Sequence, residues 1–171
     1  SYLNVPESLA SILRGLREAG YDVGGAEPGT DAILENITRR ARNIGDYAPA
    51  ELEQLVEAGE AALIPVSEYE TWLAELDPKM RDKMLADWGE PAETDLMAMN
   101  YRGERVLVVP NVQYGNITLM PQPVRGWSVD LEALYHADDL APHHQYTAAY
   151  LWLRKRQDID AIIHLGTHGT L

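Results

Sequence analysis

The sequence contains no cysteine among its 171 residues. Disulfide bonds and thiolate metal sites are therefore excluded. No apolar run approaches the roughly 18 residues of a membrane span, and charged residues occur early, so neither a span nor a secretory signal is predicted and we expect a cytoplasmic protein. A phosphate-binding GxxxxGK[ST] loop is also absent, so the chain itself is not expected to hydrolyse ATP.

Basic residues are scarce, with 14 Lys and Arg against 27 Asp and Glu and a net charge of −13. Nucleic acid is an unfavourable partner for such a chain, because its binding usually depends on basic surface. Residues 1–100 hold eight basic and 20 acidic residues, whereas residues 101–171 hold six and seven, together with all five histidines. The nearly neutral second part suits a site for an anionic ligand, and the acidic helices of the first part favour a solvated surface.

Helical patterns dominate the first 95 residues, and 171 residues are enough to bury a core in one domain or two small ones. Helices are predicted to start at Pro6, Thr30 or Asp31, Pro49, Ser67 and Asp77-Pro78. The second is predicted to extend to Ile44, and Ser67 with Glu70 predicts a capping box. Residues 61–66 are too few to assign.

Strand patterns follow an acidic link at residues 90–95, in the stretches 96–101, 106–109 and 115–120. Pro142 predicts another helix start, and the apolar run at 161–165 is typical of a buried parallel strand. The sequence therefore predicts an α/β protein, with a helix-rich first half (1–95) followed by a mixed or parallel-sheet α/β segment (96–171).

The loop after the last predicted strand carries His164, Thr167 and His168 beside two glycines. Imidazoles, a hydroxyl and freely oriented backbone N–H groups are thus placed close together. A structural role for His164 is equally consistent with its apolar neighbours. The glycines disfavour a helix, so the helical His pair of a metallohydrolase is missing.

Further candidate residues precede that loop. Asn116 starts a predicted strand, and Gln122 lies between two prolines and is followed by Arg125. Arginine next to glycine provides a fork for a carboxylate, although an ordinary turn with a surface arginine would have the same sequence. His143 and His144 are adjacent in a predicted first helical turn, so they point about 100° apart, and we expect one to face a site and the other to cap or pack.

Two stretches carry a resemblance to a known family: GNITLMPQPVRGWSVDLEALYHADDLAPHHQYTAAYLWLR at 115–154 and HLGTHGTL at 164–171. They resemble the metal-inserting tetrapyrrole chelatases of the CobN/magnesium chelatase H subunit family, most closely the large subunit of ATP-dependent cobaltochelatase. The first part of the chain is similar mainly at residues 2–5 and 20–21. Those subunits are far longer, so we expect this chain to be a piece of one and to be inactive in isolation.

The resemblance implies that Co²⁺ is inserted into hydrogenobyrinic acid a,c-diamide, a corrinoid, while AAA+ partner subunits use ATP and Mg²⁺. It points to His168 and His164 as the candidates for base and transient metal ligand. The implied substrate contacts are Asn116, Gln122, Arg125, His143, His144 and Thr167. Two alternatives remain: a magnesium chelatase H subunit acting on protoporphyrin IX, and a noncatalytic docking module in which acidic helices at residues 6–88 face the ATPase partner.

Overall fold

The computed structural model describes residues 3–25, 29–44, 48–59, 61–124 and 140–166. The chain forms two compact units. The first contains residues 1–42, 110–121 and 160–171, and the second contains residues 43–109 and 122–159. The predicted change from helices to strands near residue 95 thus falls inside the second unit, and separate roles for 1–95 and 96–171 stay a prediction.

The first unit combines two helices with a β-hairpin. Its elements are α1 (Val5–Glu18), α2 (Thr30–Arg39), β4 (Val112–Tyr114) and β5 (Ile117–Leu119). Its buried core comprises Ala10, Leu13, Val23 and Ile33. Asn36 donates to the Tyr114 hydroxyl over 2.7 Å, which joins α2 to the hairpin. The strands β4 and β5 pair antiparallel.

The hairpin turn approaches the loop after α1 very closely. Gly115 has a φ of +56°, and a Cβ there would lie 2.3 Å from the Gly24 nitrogen. The Asn116 N–H donates to the Asp22 carbonyl over 2.9 Å. Position 115 accepts only glycine, because any other residue would strain the backbone and its Cβ would clash with Gly24.

The second unit is built around a three-stranded sheet. Its helices are α3 (Pro49–Glu57), α4 (Val66–Ala74), α5 (Pro78–Trp88), a 3-10 turn (Pro91–Glu93) and α6 (His144–Lys155). Its strands are β1 (Ala61–Pro65), β2 (Ala98–Tyr101) and β3 (Glu104–Pro110), in the order β1-β3-β2. The pair β2–β3 is antiparallel. The central β3 buries five consecutive residues, as expected for a strand covered on both faces.

The mixed α/β class predicted from the sequence is confirmed, but three local predictions are wrong. No capping box forms at Ser67, because the chain passes directly from β1 into α4 and Pro65 is the N-cap. Helix α2 ends at Arg39, well before Ile44. Residues 161–165 form no strand, and Ile162 and Ile163 are exposed.

Candidate functional site

The segment before α6 is fixed to the end of α5 by two hydrogen bonds. The Ala141 N–H donates to Asp87 Oδ2, and the Trp88 indole N–H donates to the Ala141 carbonyl, each over 2.8 Å. The Trp88 ring also meets His143 edge-on, with centroids 5.0 Å apart. The start of α6 is therefore positioned by residues more than fifty positions earlier in the chain.

His143 is the N-cap of α6, and 4% of its surface is exposed. Its Nδ1 accepts from the Gln145 N–H over 3.2 Å, so Nε2 carries the proton of the neutral ring. Nε2 in turn donates to Thr94 Oγ1 over 3.1 Å. Burial, with a smaller effect of the neighbouring His144 charge, lowers the pKa of His143 to about 4. The ring is thus neutral near pH 7, and both nitrogens have partners.

His144 is completely buried beside it, with ring centroids 5.9 Å apart. Its Nε2 lies 2.9 Å from the Gly89 carbonyl, which can only accept, so Nε2 carries the proton. Its Nδ1 accepts from the Tyr69 hydroxyl over 3.0 Å. Burial lowers the pKa of His144, although the Gly89 hydrogen bond and the Glu90 charge oppose it. Burial likewise raises the pKa of Tyr69, so the hydroxyl keeps its proton.

These contacts define a buried histidine cluster, consisting of Tyr69, Trp88, Thr94, His143 and His144. Every ring nitrogen in the histidine pair is occupied by a protein group, so neither imidazole offers a lone pair to a metal ion or to a substrate proton. Their geometry favours a structural role, in which one histidine caps α6 and the other joins α4 and α5 to it.

One polar group beside the cluster lacks a protein partner. Among the described residues, neither the Oε1 nor the Nε2 of Gln145 has a hydrogen-bond partner, although only 1% of the residue is exposed. A buried amide is normally satisfied by protein or by ordered water. This position is therefore suited to an internal water.

The remaining predicted site residues are distributed over both units. In the first unit, Asn116 is exposed in the hairpin turn and His164 is exposed in the segment after α6. In the second unit, Gln122 is half-buried and its backbone carbonyl accepts from Asn43 Nδ2 over 2.7 Å. Predictions for Arg125, Thr167 and His168 fall outside the described residues. The described part of the site thus brings together only His143 and His144.

Sequence reasoning did not find the residues that bind the histidine pair. In the sequence, Tyr69 and Trp88 lie in predicted helices, and Thr94 lies in the acidic link. The hydroxyl of Tyr69 meets a ring 75 positions away, and Thr94 meets one 49 positions away. The spacing of residues within one element cannot predict contacts between residues so far apart in the sequence.

The C-terminal end of α6 is held by charged side chains. Arg156 Nε donates to Glu68 Oε1 over 2.9 Å, and its Nη1 donates to the Leu63 carbonyl over 3.0 Å. Lys155 forms an ion pair with Glu75. Both ends of the helix are therefore attached to the layer formed by β1, α4 and α5.

Neither a metal centre nor a membrane helix is found in the part of the chain that the structure describes. No group of three or more His, Asp or Glu side chains there is placed to hold a metal ion. None of the described helices is long and apolar enough to cross a membrane.

Comparison with known proteins places the chain in a family. The family model described as CobN/Magnesium Chelatase matches residues 1–171. The aerobic cobaltochelatase subunit CobN of Pseudomonas aeruginosa is 33% identical over 99% of the chain, which covers 13% of that protein. The chloroplastic magnesium-chelatase subunit ChlH of Oryza sativa is 29% identical over the whole chain, which covers 11% of it.

A solved structure agrees with these sequence matches. The catalytic subunit of cobaltochelatase from Mycobacterium tuberculosis superposes with a TM-score of 0.77 and 30% identity, over 98% of this chain and 14% of that one. The chain thus spans about an eighth of the length of the relatives it matches. With a match that runs from the first residue to the last, the chain belongs to the CobN/magnesium chelatase family.

Proposed function

We propose that this chain is part of the tetrapyrrole-binding subunit of a cobaltochelatase, which inserts Co²⁺ into hydrogenobyrinic acid a,c-diamide. The observation that carries the proposal is the family match over all 171 residues. A superposition on a cobaltochelatase catalytic subunit over 98% of the chain supports it. The relatives' names do not separate cobalt from magnesium, because identities of 33% and 29% are too close.

The choice of cobalt comes from the chemistry of the donors. Imidazole is a good ligand for divalent cobalt, whereas magnesium prefers oxygen. Metal insertion must remove two protons from ring nitrogens and strip water from a hydrated cation. A neutral histidine is able to do either near pH 7. In the proposal His168 and His164 divide these roles as base and transient metal ligand.

Exposure supports His164 and disfavours the histidine pair of α6. The His164 side chain is exposed, whereas His143 and His144 are buried with all four ring nitrogens bonded. We therefore propose a structural role for His143 and His144, as supports of α6, in place of the predicted substrate contacts. Direct contacts to the side groups of the macrocycle are proposed for Asn116, Gln122, Arg125 and Thr167.

Energy for the reaction is proposed to come from partner subunits. The sequence carries no GxxxxGK[ST] loop, so ATP with its Mg²⁺ would be bound by separate AAA+ subunits. The cytoplasmic location expected from the sequence stays a prediction.

Substrate choice tests the proposal directly. The complete subunit is titrated with the corrinoid diamide and, in parallel, with protoporphyrin IX, with quenching of tryptophan fluorescence as the readout. We expect saturable quenching by the corrinoid that Arg125→Ala weakens about tenfold or more, since a charge-assisted bond to a carboxylate is lost. Arg39→Ala is the matched control, because Arg39 pairs on the surface with Glu35. Preferred binding of protoporphyrin would select the magnesium branch instead.

Metal insertion by the assembled complex tests the histidines. His164→Ala and His168→Ala are each expected to lower the insertion rate at least about a hundredfold while corrinoid binding persists. One variant loses the general base, which contributes on that order, and the other loses the transient metal ligand. Turnover near the unmodified rate in either variant would remove that residue from the mechanism.

The noncatalytic docking module remains a second candidate, favoured by the charge of the first part, where residues 1–100 hold 20 acidic residues. In that case charge reversal at exposed Glu53 and Glu57 of α3 would abolish capture of the ATPase subunits. Failure of these variants to affect capture would count against it.

A further inference from the structure

One asparagine side chain joins two stretches of the second unit that are 79 positions apart. Asn43 Nδ2 donates to the backbone carbonyl of Gln122 over 2.7 Å. Because a carbonyl can only accept, the amide nitrogen must be the atom that faces Gln122. The other polar atom of this amide, Oδ1, is buried and has no hydrogen-bond partner among the described residues.

Both ends of this hydrogen bond are attached to the same hydrophobic core. Next to Asn43, Ile44 is buried and donates its N–H to Met97 Sδ over 3.2 Å. Val124 packs against the core cluster that contains Ile44 and Met97. The bond therefore bridges two segments whose neighbouring residues are fixed, and it defines where the Gln122 backbone lies.

The segment that contains Gln122 is not ordered by regular secondary structure. Residues 120–124 lie outside the helices and strands, so no ladder of main-chain hydrogen bonds holds them. Pro121 and Pro123 carry no N–H, which removes a backbone donor on each side of Gln122. A donor from a distant side chain is the kind of contact that fixes the carbonyl of such a segment.

Stability alone gives little reason for an asparagine at position 43. A hydrogen bond contributes a modest net amount to the stability of a folded protein, and a buried acceptor without a partner costs about as much. An apolar side chain of similar size would avoid that cost. Residues that break a rule of packing in this way are expected mainly where function requires them. The bond is therefore better explained by where it places Gln122 than by the stability it adds.

We propose that Asn43 is a positioning residue for substrate binding, which holds the Gln122 backbone so that the Gln122 side chain meets a side group of the macrocycle. The inference rests on the proposed function, in which Gln122 contacts the substrate directly. A primary amide both donates and accepts, so Gln122 is able to bond a carboxylate or an amide of the macrocycle. A side chain whose backbone is fixed in advance loses less conformational entropy when the ligand binds.

A double-mutant cycle on the complete subunit tests the proposal, with the corrinoid diamide as ligand and quenching of tryptophan fluorescence as the readout. Asn43→Leu removes the donor at similar volume and is expected to weaken binding about fivefold, because ordering one side chain on binding costs on that order. Gln122→Ala is expected to weaken binding by at least the same factor. The variant with both substitutions is expected to bind no more weakly than Gln122→Ala, since Asn43 acts only through Gln122.

Asn100→Leu is the matched control, because Asn100 is exposed on β2 of the same unit and is expected to leave binding unchanged. Losses that multiply in the double variant would overturn the proposal, since Asn43 would then act independently of Gln122. Unchanged affinity in Asn43→Leu and in Asn43→Ala would overturn it too, and the smaller alanine covers the case in which leucine does not fit. A lower fraction of binding-competent subunit with an unchanged Kd would show a merely structural role.

The same titrations separate this inference from the proposed function. If the unmodified subunit binds the corrinoid but Gln122→Ala binds it equally well, the positioning role is overturned and the proposed function stands. If the unmodified subunit shows no saturable quenching by the corrinoid, the proposed function fails and the positioning role fails with it.

Discussion

At the scale of single residues, the most informative feature is a histidine pair whose four nitrogens are all occupied. The tautomers follow from the partners, because a carbonyl only accepts and a helix N–H only donates. Such a cluster is stabilising only while every member is present, since an unpaired polar group in a buried site costs more than a bond contributes.

Tyr69→Phe is expected to destabilise the chain by about 1–3 kcal/mol, because it leaves His144 Nδ1 buried without a donor. Urea unfolding at pH 7 measures the change. Tyr21→Phe is the control, since Tyr21 is 60% exposed and its hydroxyl can bond water. Equal stability of the two variants would contradict the assigned hydrogen bond.

The low pKa of His143 predicts a loss of stability in acid. The folded ring has a pKa of about 4 against an ordinary value of 6.5, so the unfolded state binds the proton first as the pH falls. The stabilisation is complete above about pH 6.5 and is lost progressively down to pH 4, with a total near 3 kcal/mol.

His143→Asn isolates this effect, because asparagine caps a helix without titrating. We expect the variant to show a shallower decline in urea midpoint between pH 7 and pH 5, with His144 still contributing the remainder. An unchanged decline would show that His143 does not control the acid sensitivity.

At the scale of elements, the sequence predicted what short-range chemistry decides. Asp77 caps α5 as expected, accepting from the N–H groups of Lys79 and Met80. The five residues of strand β1 carry no period that separates strand from helix, so the sequence assigns them to neither. The run 161–165 was predicted as a buried strand from composition alone, and composition cannot supply the neighbour that a strand requires.

Two glycine substitutions, one in the hairpin turn and one in α1, are expected to change the stability in opposite directions. Gly115→Ala is expected to destabilise the chain by at least about 1 kcal/mol, because φ is +56° and Gly24 lies too close. Gly15→Ala in α1 is expected to stabilise it by about 0.5–1 kcal/mol, because nothing lies within 4 Å of the added Cβ. Thermal unfolding of both variants measures this, and a shift in the same direction would contradict the turn geometry.

At the scale of the whole molecule, the sequence predicts the net charge best. It predicts least well the contacts between residues that are far apart in the chain. The family resemblance rests mainly on residues 115–154 and 164–171, and the match extends over the whole chain. The buried histidine cluster could not be predicted, because its members come from four separate stretches between Tyr69 and His144. Adjacent histidines indicated only that the two rings would face different surroundings.

The net charge of −13 predicts that moderate salt stabilises the fold. Repulsion among the acidic residues of the first part is screened as the ionic strength rises from about 0.01 to about 0.15 M. Screening also weakens exposed ion pairs such as Arg39–Glu35, but these pairs contribute little to stability. We expect the melting temperature in NaCl to rise over this range, and a fall would indicate that attractive pairs dominate.

The attachment of α6 to α5 bears on the order in which the chain folds. Trp88 and Ala141 are 53 positions apart, so their bond closes a long loop, and the entropy of that loop is lost before α6 can dock on α5. Helices α4 and α5 depend mostly on near neighbours and are able to form early, whereas docking of α6 belongs to a late, slow step. Substitutions in the histidine cluster should therefore accelerate unfolding far more than they retard folding.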